Sequence, residues 1–178
     1  LISAAKYLKG GSFSSTLNVV ELCLSDVSNE LLQKLKTDST VVLLFESSTI
    51  NNAIEHRRLF IELMNMQIHN PVFIKRDYLY SQKEKTQIDA SIDIGSLLLD
   101  GLGDGVLLVA PKIKNNYIIN LVFDLLQGAR RRVSKTEYIS CPSCGRTLFD
   151  LEETTAKIRK KTSHLKGLKI GIMGCIVN

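Results

Sequence analysis

Tryptophan is absent from the sequence, and aromatic residues make up only 6% of its 178 positions. This scarcity argues against a stacking platform for single-stranded nucleic acid, so no nucleic-acid partner is expected. No apolar run reaches the roughly 18–20 residues that a helix needs to cross a bilayer, and no membrane partner is expected either. Four cysteines are too few for a disulfide scaffold in a chain of this length, which favours a reducing compartment.

The two ends of the sequence and its charge distribution indicate a piece of a longer protein with one basic end. The chain starts with L-I-S-A-A rather than Met and stops at G-C-I-V-N, so we expect a fragment. Residues 134–178 contain eight Lys and Arg against four Asp and Glu, whereas residues 1–133 contain fifteen against fourteen. Most of the net charge of +5 therefore lies near the C-terminus, where an acidic partner would dock.

Short apolar runs alternate with amphipathic stretches over residues 1–133. Runs rich in Val, Ile, Leu and Phe predict four buried strands, Leu17–Leu24, Thr40–Glu46, Val72–Arg76 and Gly105–Ala110. Helical patterns cover Asn29–Lys36, Asn52–Gln67, Ile88–Leu99 and Tyr117–Leu126. Strand starts spaced roughly 25–35 residues apart predict an α/β fold of βα units with a parallel sheet. These units would form half of a βα barrel or a small doubly wound sheet, and the blunt N-terminus favours part of a barrel.

The pattern over Asn52–Gln67 also predicts which face of that helix is buried. Its apolar stripe is expected to pack against the sheet, and the charged residues to face solvent. The predicted stripe consists of Ile54, Phe60, Ile61 and Met64.

The glycine-rich segment D-G-L-G-D-G-V-L-L, residues 100–108, joins a predicted helix to a predicted strand. Glycines can let backbone N–H groups approach a phosphate, but such a site usually follows a strand and precedes a helix. The order here is reversed, which favours a helix C-cap and a tight turn. Asp100 and Asp104 are accordingly interpreted as exposed turn residues.

The small and basic segment G-A-R-R-R-V-S-K-T, residues 128–136, predicts a linker. We therefore place one domain over residues 1–133 and a second over residues 134–178. The second domain is predicted to contain a strand around Tyr138, a helix over about Leu151–Lys161 and a strand over Leu168–Met173. Asp150 is the expected N-cap of that helix.

Three of the four cysteines lie in the second domain, two of them in C-P-S-C at Cys141 and Cys144 and the third at Cys175. A C-x-x-C turn directs two sulfurs to one side, which suits a metal centre, whereas a thioredoxin-like pair would leave Cys175 unexplained. The metal is either zinc, with His164 as the fourth ligand, or an iron–sulfur cluster with one iron lacking a thiolate. Spacing alone does not decide between them. Cys23, in an apolar run, is interpreted as a buried structural thiol.

The segment S-C-P-S-C-G-R-T-L-F-D-L, followed about thirty residues later by I-M-G-C-I-V-N, resembles the cluster domain of the 4-hydroxy-3-methylbut-2-enyl diphosphate synthase family. The segments D-G-L-G-D-G-V-L-L-V-A-P and F-D-L-L-Q-G-A-R resemble the region just before the cluster in the large, three-domain form from plants and chlamydia-like bacteria. Over residues 1–93 the resemblance rests mainly on pattern and on H-R-R-L-F and N-P-V-F-I. It implies the C-terminal part of a TIM-barrel-like inserted domain, followed by the N-terminal part of a small α+β iron–sulfur domain.

The same resemblance implies a [4Fe–4S] cluster held by three cysteines and one glutamate. Cys141, Cys144 and Cys175 match the cysteine positions and would act in catalysis through the cluster. In the family the glutamate follows Asn178, in a G-P-G-E motif that this chain does not contain, and Asn178 would lie beside the cluster.

For function, the resemblance implies reduction of 2-C-methyl-D-erythritol 2,4-cyclodiphosphate to 4-hydroxy-3-methylbut-2-enyl diphosphate in the non-mevalonate (MEP) isoprenoid pathway. Ferredoxin or flavodoxin would supply two electrons. Because these carriers are acidic, they suit the basic run K-I-R-K-K, residues 157–161, which is otherwise a solvated helix face.

The full-length parent is expected to be a homodimer in the bacterial cytoplasm or the plastid stroma. The fragment alone is expected to be inactive, because the substrate-binding barrel and the fourth cluster ligand are missing. The inserted domain is interpreted as a spacer or a scaffold. The alternative interpretation is a nucleic-acid-binding protein that carries a zinc ribbon and has no catalytic activity.

Overall fold

A computed structural model describes residues 1–47, 52–141, 145, 147 and 149–174. The chain divides into two units, Leu1–Leu125 and Leu126–Asn178. No helix in the part that the structure describes is long and apolar enough to cross a membrane. The domain boundary after residue 133 stays a prediction.

The first unit is built on a five-stranded parallel sheet in which neighbouring strands follow one another along the chain. The strands are β1 Ile2–Ser3, β2 Asn18–Leu22, β3 Val41–Glu46, β4 Val72–Asp77 and β5 Gly105–Val109. The register places Val20 opposite Leu43, and Leu43 opposite Val72. The four predicted strands are confirmed to within two residues at each end, whereas β1 is too short to produce a sequence pattern.

Among the described residues, six α-helices start in the first unit. They are α1 Ala4–Lys9, α2 Asn29–Thr37, α3 Asn52–Asn65, α4 Lys83–Ala90, α5 Ser96–Leu99 and α6 Asn115–Gly128. A π-helical segment, Ser91–Gly95, joins α4 to α5. The helix predicted over Ile88–Leu99 is therefore the second half of a longer helical stretch that begins at Lys83 and is interrupted by a wider turn.

The two faces of the sheet are covered to different extents. Val41, Leu43 and Phe45 point to one face and are fully buried, whereas Phe73 and Leu107 on the other face are 38% and 40% exposed. Right-handed crossovers between consecutive parallel strands place their helices on the same face, which accounts for the difference. The order of the described strands does not reverse as it does in a doubly wound sheet. Closure into a barrel stays a prediction.

Helix α3 buries a different face from the one that the sequence predicted. Ile54, Ile61 and Met64 are 67%, 52% and 58% exposed, so most of the predicted stripe faces away from the core. The buried face consists of Asn52, His56, Leu59, Phe60 and Leu63. These positions have regular helical spacing, but the face was missed because its first two members, an asparagine and a histidine, are polar.

The glycine-rich segment at residues 100–108 forms a turn, as predicted. Gly101 and Gly103 have φ values of +81° and +90°, which only glycine adopts freely. Asp104 accepts the backbone N–H of Val72 at 2.9 Å, and Asp100 forms an ion pair with Arg57. Both aspartates are exposed but bonded within the protein, so the segment has a structural role.

The second unit is a β–α–β arrangement made of β6 Glu137–Ser140, α7 Leu151–Thr162 and β7 Lys169–Ile172, with the two strands parallel. All three predicted elements are confirmed. The side chain of Asp150 accepts the backbone N–H of Glu153 at 2.8 Å, which confirms the predicted N-cap. Gly167, with a φ of +84°, turns the chain from α7 into β7.

Candidate metal centre

The parallel pairing of β6 with β7 brings the carboxyl ends of both strands to one edge of the second unit. Ser140 lies opposite Ile172 at the end of the ladder. Cys141 follows β6 directly, and its backbone N–H donates to the carbonyl of Ile172 at 3.2 Å. Along the sequence, Cys175 comes three positions after Ile172. The segment that carries Cys141 and the segment that leads to Cys175 therefore both start at the same edge of this two-stranded sheet.

Close packing at Gly174 brings together the residues that flank the cysteines. A Cβ atom at Gly174 would lie 2.8 Å from Cγ2 of Thr147 and 3.5 Å from Cδ1 of Leu151, so this position fits only a glycine without rearrangement. Thr147 comes three positions after Cys144, and Gly174 comes directly before Cys175. The segment that follows C-P-S-C therefore meets the segment that precedes Cys175 at this edge.

An open depression of about 650 Å³ lies beside Cys141, between the end of β6 and one side of α7. Phe149, Glu152 and Arg159 contribute to its wall. Cys141 is half-buried with a free thiol, and Phe149 is 47% exposed. The depression can therefore admit a ligand or a partner surface next to this cysteine.

Of the four predicted site residues, the structure describes only Cys141. Cys144, Cys175 and Asn178 lie outside the described residues. Within the ranges that are described, no three His, Cys, Asp or Glu side chains form a group that could hold a metal ion. The complete ligand set therefore stays a prediction.

The predicted fourth zinc ligand, His164, lies at the other end of this unit. Just before β6, the hydroxyl of Thr136 donates to the carbonyls of Thr162 and Leu165, which places the His164 turn beside the start of that strand. The four residues of β6, at about 3.3 Å each, separate this turn from Cys141 by roughly 13 Å. Zinc ligands lie within about 2.3 Å of the ion, so the described geometry does not bring these two residues to one zinc ion.

The residues at this edge fit an iron–sulfur cluster. Such clusters are held by cysteine thiolates from closely spaced positions and from a more distant one. Here a C-x-x-C begins at the end of one strand, and the third cysteine follows the end of its parallel neighbour. The tight fit at Gly174 places Thr147, three positions after Cys144, against the residue that precedes Cys175.

Comparison with known proteins identifies relatives of this chain. Residues 137–178, which include β6, α7 and β7, match the family described as GcpE protein C-terminal domain. Over its whole length the chain is 43% identical to a protein of Parabacteroides distasonis named 4-hydroxy-3-methylbut-2-en-1-yl diphosphate synthase (flavodoxin). This chain belongs to the GcpE family.

Other GcpE relatives match the chain from bacteria and from a plant. The Arabidopsis thaliana protein named 4-hydroxy-3-methylbut-2-en-1-yl diphosphate synthase (ferredoxin), chloroplastic, is 44% identical over 181 residues and covers 97% of the chain. The flavodoxin-type protein of Leptospira interrogans is 58% identical over 100 residues and covers 56% of the chain. The chain spans 29%, 24% and 15% of the Parabacteroides, Arabidopsis and Leptospira proteins, less than a third of any of them.

The first unit of this GcpE chain contains a charged cluster that sequence reasoning missed. On the less covered face of the sheet, Nζ of Lys75 lies 2.9 Å from carboxylate oxygens of both Glu46 and Glu21. The hydrogen bond from Lys75 to Glu46 raises the pKa of the lysine most, and the hydrogen bond to Glu21 raises it further, so the lysine remains protonated. A signal was available, because each of β2, β3 and β4 carries one of these charges in an apolar run.

A second polar network lies on the helix-covered side and was also missed. Asp93, in the π-helical segment, accepts from Arg76 at 3.0 Å and from the Tyr78 hydroxyl at 2.9 Å. His56 is fully buried with its ring edge-on to Phe45 at 4.6 Å, and burial lowers the pKa of this histidine. Burial disfavours the charged form of Tyr78 too, and for this acidic hydroxyl the effect raises the pKa. The network ties the π-helical segment to the sheet.

Cys23 is half-buried rather than buried, so that prediction was wrong. It follows β2 at the carboxyl edge of the first sheet, where its thiol donates to Asp26 at 3.1 Å and lies 3.0 Å from the Ser25 hydroxyl. Both partners lie within three positions of Cys23, so these bonds stabilise the turn after β2.

Proposed function

We propose that this chain is part of a longer iron–sulfur oxidoreductase that makes 4-hydroxy-3-methylbut-2-enyl diphosphate in the MEP pathway. Two contacts at one edge of the second unit carry the proposal: the backbone bond from Cys141 to Ile172, three positions before Cys175, and the close approach of Gly174 to Thr147. The names of the relatives support the reaction class.

The proposed reaction opens the cyclic diphosphate of 2-C-methyl-D-erythritol 2,4-cyclodiphosphate and removes one oxygen atom. Two electrons and two protons enter, the ring bond between carbon and phosphate oxygen breaks, and a hydroxyl group leaves as water. A carbon–carbon double bond forms between the two carbons that lose these oxygens. Substrate, two electrons and two protons thus balance product and one water.

Three thiolates of this chain would hold the cluster, namely those of Cys141, Cys144 and Cys175. When bound, a [4Fe–4S] cluster supplies electrons and an iron without a thiolate that acts as a Lewis acid. The backbone bond to Ile172 fixes the position of Cys141. The contact between Gly174 and Thr147 brings the other two segments close, and Asn178 is proposed to lie beside the cluster.

The other parts of the enzyme are proposed to lie in regions of the relatives that this chain does not cover. These parts are a glutamate as the fourth cluster ligand and the barrel that binds the substrate. The chain alone would therefore be inactive. We further propose that the longer protein is a homodimer, reduced by ferredoxin or flavodoxin, in a bacterial cytoplasm or a plastid stroma, because the relatives are bacterial and chloroplastic.

For the first unit we propose a segment of a TIM-barrel-like inserted domain with a scaffold role. The sequential parallel strand order supports this, as do the exposed Phe73 and Leu107 on the less covered face. In a closed barrel, Lys75, Glu21 and Glu46 would point inward and neutralise one another in part.

Anaerobic reconstitution of the full-length protein with iron and sulfide tests the proposed function. We expect a brown protein with about four irons per chain, whose broad visible absorption is lost on reduction. Cys141→Ser should lower the iron content severalfold and turnover by at least about a hundredfold, because it removes one ligand.

Cys23→Ser is the matched control, because Cys23 is also half-buried and free but lies in the first unit. It should retain the iron content and the turnover of the wild type. A colourless protein with stoichiometric zinc would refute the proposal and support the zinc-ribbon alternative.

A further inference from the structure

The side chain of Gln127, in the last turn of α6, closes the basic segment over residues 128–135 into a loop. Its Oε1 accepts the backbone N–H groups of Ser134 and Lys135 at 3.1 and 2.9 Å, and the Ser134 hydroxyl at 3.2 Å. Its Nε2 donates to the carbonyl of Lys135 at 3.3 Å. The amide therefore pairs with the backbone of Lys135 as a neighbouring strand would. Gln127 and both of its partners belong to the second unit.

The end of α6 does not require these side-chain bonds. The carbonyl of Leu126 accepts the backbone N–H groups of Arg131 and Arg132 at 2.8 and 3.2 Å. Arg130 adopts the left-handed conformation, with a φ of +57°. This common backbone motif ends a helix and satisfies its last carbonyls by itself. The Gln127 side chain instead reaches seven and eight positions along the chain, to the residues that lead into β6.

These residues begin a continuous run of hydrogen bonds that ends at Cys141. The Thr136 hydroxyl donates to carbonyls at and just after the end of α7. The backbone N–H of Glu137 donates at 2.8 Å to the carbonyl just before β7, and β6 then pairs with β7 along its whole length. The N–H of Cys141 is the last donor of the run, at the carbonyl of Ile172. Gln127 therefore holds one end of a segment whose other end is a proposed cluster ligand.

The register of β6 is weakly fixed by the sheet alone. Within the part of the chain that the structure describes, β6 has four residues and pairs only with β7, and so small a sheet is marginally stable. A slip of β6 by one residue would move Cys141 by about 3.3 Å and turn each side chain of the strand to the opposite face. Bonds that hold the entry to β6 oppose this slip, because they fix the length of the loop before it.

We propose that Gln127 is a positioning residue for the proposed cluster, because it sets the register of β6 and thereby the position of the Cys141 thiolate. The role toward the cluster rests on the proposed function, whereas the register belongs to the protein with or without a metal. Gln127 acts through the backbone of residues 134–141. Without its side chain, the cluster would be held less firmly by Cys141.

Hydrogen exchange in the full-length protein, read at single residues by mass spectrometry, tests the register. Gln127→Met keeps the length of the side chain and removes all four of its hydrogen bonds. The backbone N–H groups of Ser134 and Lys135 should exchange at least about tenfold faster in this variant, and that of Cys141 at least about fivefold faster. Faster exchange at Ser134 and Lys135 alone would overturn the proposal, because Gln127 would then stabilise only its own loop. Unchanged exchange at all three groups would overturn it as well.

Gln127→Glu is the conservative variant, because its carboxylate still accepts from Ser134 and Lys135 and loses only the bond to the Lys135 carbonyl. It should keep the exchange of the Cys141 N–H within about twofold of the wild type. Gln33→Met makes the same change as Gln127→Met at an exposed glutamine of α2 and should have no effect at Cys141. If Gln127→Met does not fold, Gln127→Asn, which draws the amide back by one methylene, takes its place. Equal acceleration in the glutamate and methionine variants would contradict the proposed hydrogen-bonding role.

The lifetime of the visible absorption in air, measured on the reconstituted full-length holoenzyme, tests the role toward the cluster. Gln127→Met should lose this absorption at least about fivefold faster than the wild type, whereas Gln127→Glu and Gln33→Met should stay within about twofold of it. An unchanged lifetime in Gln127→Met would overturn the positioning role. A wild-type protein that binds no iron would contradict the proposed function, and exchange at Cys141 would still decide whether Gln127 sets the register.

Discussion

At the candidate site, the close packing around Gly174 requires a residue without a side chain. Its Cα lies so close to Thr147 and Leu151 that an added methyl group would overlap the threonine methyl. The contact connects the segment after C-P-S-C with the segment before Cys175. The proposed cluster site would therefore depend on this close backbone approach as well as on the cysteines.

Gly174→Ala is expected to cost about 1–3 kcal/mol of stability in the second unit and to lower iron incorporation by at least half, because overpacking pushes the two segments apart. Iron content after reconstitution and urea unfolding measure the two effects.

Gly171→Ala is the control, because no atom lies within 4 Å of a Cβ at that position of β7. Thr147→Ser removes the clashing methyl group and should partly rescue the alanine variant. Equal behaviour of the two alanine variants would contradict the packing argument.

Residue types with strong local preferences were predictable, and residues defined by tertiary contacts were not. Asp150 was recognised as an N-cap, because an aspartate before an apolar helical pattern has a local hydrogen-bonding role. His56 was not recognised as a core residue, because its burial depends on the edge-on contact with Phe45 from another element. The tight contact at Gly174 has no sequence signal.

Among the elements, the interrupted helix between Lys83 and Leu99 is held by a nearly buried ion pair. Asp93 and Arg76 are only 13% and 14% exposed, and Tyr78 adds a hydrogen bond to the same carboxylate. The pair anchors the wider π-helical turn to β4. By contrast, the pair of Arg57 and Asp100, on the outside of the same stretch, is 38% and 54% exposed.

Asp93→Asn should destabilise the chain by about 3 kcal/mol, because it leaves the Arg76 charge without its counter-charge in a poorly solvated place. Asp100→Asn makes the same change in an exposed pair and should cost less than about 1 kcal/mol. Urea unfolding followed by circular dichroism compares them. Similar losses in both variants would mean that burial does not set the strength of the Asp93 pair.

Sequence patterns located elements better than they located the faces and breaks of those elements. Strands such as Val41–Glu46 were found because long apolar runs between turn residues leave few alternatives. The start of α4 at Lys83 was missed, because its first turn, K-E-K-T, is polar, and the only buried side chain in that turn is the polar Thr86. The π-helical turn was unpredictable, since it depends on Asp93 meeting a partner from β4.

At the scale of the whole molecule, the two faces of the first sheet differ in how far their side chains are exposed, and this difference can be tested. Phe73 and Leu107 lie on the less covered face, and Ile74 lies fully buried on the other. If further βα units close this sheet into a barrel in the longer protein, the less covered face becomes interior. The same substitution would then have different effects in the chain and in the full-length protein.

Leu107→Lys should lower the Tm of the isolated chain by no more than a few degrees, because the lysine reaches water. In the full-length protein it should lower the Tm by about 10 °C or more, since the charge would be buried. Ile74→Lys, on the covered face, should destabilise both. Scanning calorimetry on both proteins makes the comparison, and equal tolerance of Leu107→Lys in both would contradict barrel closure.

The candidate site was only partly accessible to sequence reasoning. The spacing of Cys141, Cys144 and Cys175 predicted a metal centre but left zinc and iron open. The structure adds that His164 lies at the far end of β6 and that the flanks of the cysteines meet. Neither fact could be read from spacing, because both depend on the parallel pairing of β6 with β7.

That pairing has a consequence for how long the protein survives in a cell. Two parallel strands of four residues each make a sheet too small to persist without further support. A cluster bound by cysteines after both strands would tie them together and keep this segment away from proteases. If the proposed cluster is bound, a cell short of iron would contain fewer intact copies of this protein, because the form without a cluster would be degraded faster.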